Sequence, residues 1–240
     1  MYRYKVISYG MMGIIILLGL FIQTLWYCIA QSAEHGEKGT GQQSSPIYRP
    51  PLRGMPFNRE GGATRGDNAL LASITAMVPE HIGLTSSDIP TLYWHASRTV
   101  DVPVEFVIID DNAIEPLWQL TMQPPLAAGY HTIHLKDGPC KLVPGKVYKW
   151  FIALVVDPGH RSKDIVVSGA IEYVHISDKL WNQIQKASLF ERISLYADAG
   201  IWYDAVDCLN RFVQSQKGSE IALKMQEDFF RQVGLTPKIH

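Results

Sequence analysis

Four guanidiniums, Arg49, Arg53, Arg59 and Arg65, fall in the stretch Pro46–Gly66, among Pro50, Pro51, Pro56, Gly54, Gly61, Gly62 and Gly66, with Glu60 the single acid. Arginine forks and the N–H groups of glycine-rich backbone are the donors that capture carboxylates and phosphates. The chemistry this suggests is anion or partner capture by Arg59 and Arg65, joined by Arg161 from a later turn. A nucleotide-binding loop is not supported, because no Walker lysine follows the glycines and no strand–helix unit frames them. A plainer reading competes and is favoured: an extended segment packed along the edge of a sheet, which needs nothing beyond the Pro/Gly composition.

The other reactive side chains do not assemble into a catalytic or metal-binding set. His131 and His134 lie three apart on an expected strand, so they point to opposite faces and cannot share a metal. His95 and His160 each stand alone, and Asp110-Asp111 ends a strand, where a turn role outweighs a paired-acid role. Neither a Gly-x-Ser-x-Gly elbow nor a His-Glu-x-x-His helix occurs. No catalytic residue, metal ligand or cofactor is therefore assigned. With an N-terminal leader removed, Cys140 and Cys208 remain, and they are either a disulfide in an oxidising compartment or two partly buried free thiols.

The elements that must position these residues begin with short strands. The stretches Val147–Val156 and Ile165–Val174 alternate apolar and polar residues on either side of Asp157-Pro158-Gly159-His160, a hairpin whose Pro-Gly suits a type II turn. Ahead of it, Leu70–Val78, Leu92–Ala96, Val104–Ile108, Trp118–Met122 and Tyr130–Leu135 read as further strands, punctuated by Ser86-Ser87-Asp88, Asp110-Asp111-Asn112, Pro124-Pro125 and Lys136-Asp137-Gly138-Pro139. That spacing predicts an antiparallel, immunoglobulin-like β-sandwich over 69–176, without the Cys…Trp…Cys signature of a true immunoglobulin domain. Trp94, Trp118 and Trp150 are expected to fill its core; a carbohydrate-stacking platform would need two of these rings outward.

Residues 177–240 switch to helical spacing. Ser177 and Ser219 are N-caps, Gly200 and Gly234 are stops, and apolar stripes run through Leu180, Ile184, Leu189, Ile193, Tyr196, Trp202, Val206, Leu209, Met225 and Phe229. The junction Leu195-Tyr196-Ala197…Gly200…Tyr203-Asp204-Ala205 is similar to that of a tetratricopeptide repeat, so a small helical hairpin region is expected after the sandwich, making the fold class α+β. One such unit cannot form the usual concave groove.

Arg3 and Lys5 precede an apolar run from Val6 to Ala30. Residues 1–30 therefore read as a cleaved signal peptide or an uncleaved membrane anchor, and both place the body outside the cytoplasm. Residues 31–68 are a flexible linker followed by the Arg/Gly/Pro-rich segment. The formal net charge of −1 gives no reason to expect nucleic acid. Contact with a membrane is expected only through residues 6–30, if they are retained.

Several segments carry a family resemblance. They are Arg59…Gly61-Gly62-Ala63-Thr64-Arg65-Gly66, Pro90-Thr91-Leu92-Tyr93-Trp94, Gly145-Lys146-Val147-Tyr148-Lys149-Trp150 and Gly200-Ile201-Trp202-Tyr203-Asp204-Ala205. Together they resemble the bacterial domain of unknown function 928 family, common in cyanobacteria, over about Pro50 to Leu235. The resemblance implies an exported protein and brings no assigned activity and no functional residues. The resulting expectation is a non-enzymatic, extracytoplasmic binding or assembly module, periplasmic or secreted, with another envelope protein as partner. A hydrolase acting on envelope glycan or peptide through Asp110, Asp111, His160 and Asp164 is the alternative.

Overall fold

In strand β8 (Val147–Leu154), Tyr148, Trp150, Ile152 and Leu154 are buried while the residues between them are half-exposed. That strict period of two is what a sheet with one dry face requires. A computed structural model describes residues 45–51, 59–61 and 72–236. Among these are nine strands: β1 (Glu60–Gly61), β2 (Ile74–Ala76), β3 (Gly83–Thr85), β4 (Thr91–Ala96), β5 (Val104–Asp110), β6 (Trp118–Met122), β7 (Gly129–His134), β8 and β9 (Ile165–Tyr173). Four helices follow, α1 (Asp178–Lys186), α2 (Leu189–Asp198), α3 (Trp202–Ser215) and α4 (Glu220–Arg231). The fold is thus α+β, and Ser45–His240 form one compact unit.

The strands make two sheets, ordered β1-β2-β4-β7 and β3-β9-β8-β5-β6. Both contribute to one buried core, with Ile74, Trp94 and Ile133 from the first and Phe106, Trp150, Ile152 and Val167 from the second. Trp94 and Trp150 are fully buried, and Trp118 is half-buried against Phe106, so the three rings do not supply the two outward faces a stacking platform would need.

The structure departs from the expected pattern in three places. The sheets are not purely antiparallel, because β3 runs parallel to β9, with Gly83 opposite Ile171 and Thr85 opposite Tyr173. β1 and β3 were not expected as strands: β1 has two residues, and β3 has three, all buried, which leaves no alternation to read. The turn after β8 is closed by His160 N donating to the Asp157 carbonyl at 2.9 Å, but Gly159 is not among the glycines with positive φ, so the turn is not type II.

The helices start where the serines place them. Ser177 Oγ accepts from Leu180 N, Ser219 Oγ from Ala222 N, and Ser188 forms a reciprocal capping box with Glu191. Gly200 ends α2 at φ +73°, and a side chain there would also come within 2.9 Å of the Arg49 carbonyl, so both conformation and space require glycine. α3 lacks a capping side chain at Ile201 and packs against β3 and β4. Its Trp202 is fully buried, stacked on Phe229 of α4 at 5.3 Å, with Nε1 donating to the Met77 carbonyl at 2.9 Å. Among the described residues no helix is long and apolar enough to cross a membrane. The expected leader, 1–30, and most of the linker segment, 31–68, lie outside the described residues.

Candidate functional site

Arg59 and Arg161, two of the three arginines singled out in the sequence, are each bound by their own surroundings. The Arg59 side chain is only 10% exposed. Its Nη1 donates to the carbonyls of Val78 (3.2 Å) and Val233 (2.7 Å), and its Nη2 to Glu80 Oε1 (2.8 Å). It fastens the chain after β2 to the end of α4. Arg161 lies in a 3-10 turn (Arg161–Lys163) and makes a two-pronged bond to Glu105, at 3.0 and 2.6 Å, with Nε 2.8 Å from Asp164. This fork holds the Glu105 carboxyl below its usual range. No described group bonds to both arginines. Arg65 lies outside the described residues.

The polar residues of the hydrolase alternative are also dispersed. Asp110 accepts from Asn112 N and Lys146 Nζ, both at 3.1 Å, and Asp111 pairs with Lys149 at 2.6 Å. His160 Nδ1 lies 2.8 Å from Asp157, and Asp164 pairs with Arg161. Cys140 and Cys208 are both buried and free. Among the described residues no group of three His, Cys, Asp or Glu side chains could hold a metal.

A cleft of about 220 Å³ opens elsewhere, where the β3–β4 connection meets α2 and α3. Helical periodicity builds its wall. Asp204, Asp207, Cys208 and Arg211 recur at spacings of three and four along α3, and Arg192 and Tyr196 are four apart on α2, so each helix turns one face to the same space. Ser87, Ile89, Pro90 and Thr91 close it from the strand side.

The acids in this cleft are heavily engaged. Asp204 Oδ2 accepts from Thr85 Oγ1 (2.8 Å) and Ser86 N (3.0 Å), and Oδ1 from Ser86 Oγ (2.6 Å). Desolvation outweighs these donors and raises its pKa. Asp207 Oδ1 accepts from Tyr93 Oη at 2.9 Å, while Oδ2 lies a loose 3.6 Å from Arg211. Burial, followed by the nearby Asp207 charge, raises the Tyr93 pKa, and burial lifts the Cys208 thiol to about 12, so that sulfur stays protonated and poorly nucleophilic near neutrality. Arg192 differs from its neighbours: its Nε donates to the Ala187 carbonyl at 3.1 Å, and no described carboxylate pairs with it.

Sequence reasoning did not find this cleft. Ser86-Ser87-Asp88 read as turn punctuation and Asp204 as part of a helix junction, and only the parallel seat of β3 brings them together. What the fold and cleft define is an α+β protein whose terminal helices close a small polar cleft against the edge of a sheet. The chain belongs to the family described as Domain of Unknown Function (DUF928), which matches residues 60–240. No curated protein matches it.

Proposed function

We propose that the protein is a non-enzymatic binding or assembly module of the bacterial envelope, working outside the cytoplasm, and that the cleft between the β3–β4 connection and α2–α3 receives part of its partner. The observation that carries this reading is the state of the cleft's side chains. Its potential reactive groups are committed: Asp204 to three donors, Asp207 to Tyr93, and Cys208 to burial. The guanidinium of Arg192 remains without a described carboxylate, which suits recognition more than turnover. A glycosidase arrangement asks for two carboxyls on opposite sides of a bond, roughly 5–10 Å apart. Asp204 and Asp207 instead share one face of one helix.

The two sheets around one core fit an immunoglobulin-like sandwich, and the α2–α3 pair fits a single tetratricopeptide-like hairpin. Export rests on the leader, with Arg3 and Lys5 ahead of the apolar run to Ala30. The test is site-specific photocrosslinking of the full chain in cells, with the probe at Ile89 on the cleft rim and, as control, at the exposed Ile114. A discrete crosslinked envelope protein from Ile89 and none from Ile114 is expected. No adduct at Ile89, or equal adducts at both positions, overturns the reading. N-terminal sequencing of the envelope fraction tests location: a start near Gln31 means cleavage, and an intact Met1 in the membrane means an anchor. Intact protein found only in cytosol overturns the export.

A further inference from the structure

The charges in the cleft are unevenly matched. Two arginines and two aspartates line it. Asp204 is saturated by Thr85 and Ser86, and Asp207 accepts a hydrogen bond from the Tyr93 hydroxyl while facing Arg211 at 3.6 Å, longer than a well-formed charged hydrogen bond. Arg192 spends one N–H on the Ala187 carbonyl, and among the described residues no carboxylate pairs with the rest of its fork. On the strand side, Ser87 Oγ accepts from Ile89 N, which leaves its own O–H to donate. The unused groups around the space are thus donors: the Arg192 fork, the loosely held Arg211, and Ser87.

From this we infer that the cleft binds a single carboxylate, presented by a peptide as its chain terminus or an acidic side chain, held by Arg192 and Arg211 with Ser87 as a third donor. This deepens the binding reading and rests on it. A planar carboxylate matches a guanidinium fork in two parallel bonds. Size agrees, since a cleft of about 220 Å³ admits one side chain or chain end. Charge discriminates further. Asp207 faces Arg211, so a monoanion balances Arg192, whereas a dianionic phosphate adds a further negative charge beside Asp207. Ile89 and Pro90 supply an apolar wall for the carbon chain behind the carboxylate.

The test uses the full-length protein and three small probes: N-acetylglycine as a blocked chain terminus, its neutral amide, and inorganic phosphate. Binding is read by titration in ¹H–¹⁵N spectra, following the arginine side-chain signals and using amides far from the cleft as the check on folding. Saturable binding of N-acetylglycine is expected, at least ten-fold tighter than the amide and than phosphate. Arg192→Gln should weaken it ten-fold or more, Arg192→Lys should recover part of the loss, and Arg231→Gln on α4 should leave it unchanged. Equal binding of acid and amide, preference for phosphate, insensitivity to Arg192→Gln or no saturable shift would each overturn the carboxylate assignment. Because crosslinking from Ile89 is scored separately, loss of the carboxylate assignment and loss of the binding module are told apart.

Discussion

Trp150 in β8 and Tyr203 in α3 share a fully dry hydrogen bond, with the indole Nε1 donating to the phenol oxygen at 2.9 Å, and the phenol in turn donating to the Ala170 carbonyl at 3.0 Å. This relay joins the sheet core to the helices through groups that water does not reach. Tyr203→Phe removes the acceptor of the Trp150 N–H and the hydroxyl donated to the Ala170 carbonyl while keeping the ring. The expected cost is about 1–3 kcal/mol in denaturant unfolding. A loss below ~0.5 kcal/mol would show that the relay does not hold the two layers together.

The Arg59 clasp should be structural. Arg59→Leu removes the donor from the Val78 and Val233 carbonyls and is expected to cost roughly 2–3 kcal/mol. Glu80, 77% exposed, contributes little to the same guanidinium, so Glu80→Ala should change stability by less than ~0.5 kcal/mol. Equal effects of the two substitutions would contradict this assignment.

Asp204 gives a pH dependence of definite sign. Its folded-state pKa is raised above the ordinary value of 3.8, mainly by desolvation. The protonated form then stabilises the fold fully below the unfolded value, and that contribution is lost as pH rises through the folded value. Asp204→Asn does not titrate. The stability of wild type relative to Asp204→Asn should therefore fall as pH rises above the ordinary aspartate value. A flat difference, or one that grows with pH, would reverse the assignment.

Both cysteines of the folded body should resist alkylation. Cys140 and Cys208 are buried and free, and burial raises both thiols, Cys208 to about 12. Peptide mapping after iodoacetamide at neutral pH should find each labelled only in denaturant. Rapid labelling of either one in the native state would contradict its burial.

The alternating strands were legible in the sequence because each has one dry face. β5 and β8 show it in Val104, Phe106, Ile108, Trp150 and Ile152. The serine caps and the stops at Gly200 and Gly234 were equally plain, since capping is local chemistry. β3 was not, being short and buried on every residue. With it went the cleft, which depends on Ser86 and Asp204 meeting across 118 residues of chain. Composition marked Arg59 as notable but could not tell a donor aimed at a ligand from one aimed at the Val233 carbonyl.

The clasp at the start of the body sets a schedule for synthesis. Tyr48 N donates to Gln232 Oε1 across 184 residues, Gln232 Nε2 donates to the Pro46 carbonyl, and Arg49 N donates to the Ala197 carbonyl. The backbone of this earliest segment therefore lacks these partners until nearly the last helix exists. At about 5–20 residues per second, Tyr48 waits roughly ten to forty seconds for Gln232 to be made. For most of that interval β3 and β4 lack the cover of α3, and any chaperone or translocation channel handling the nascent chain meets a half-finished body whose first and last pieces close together.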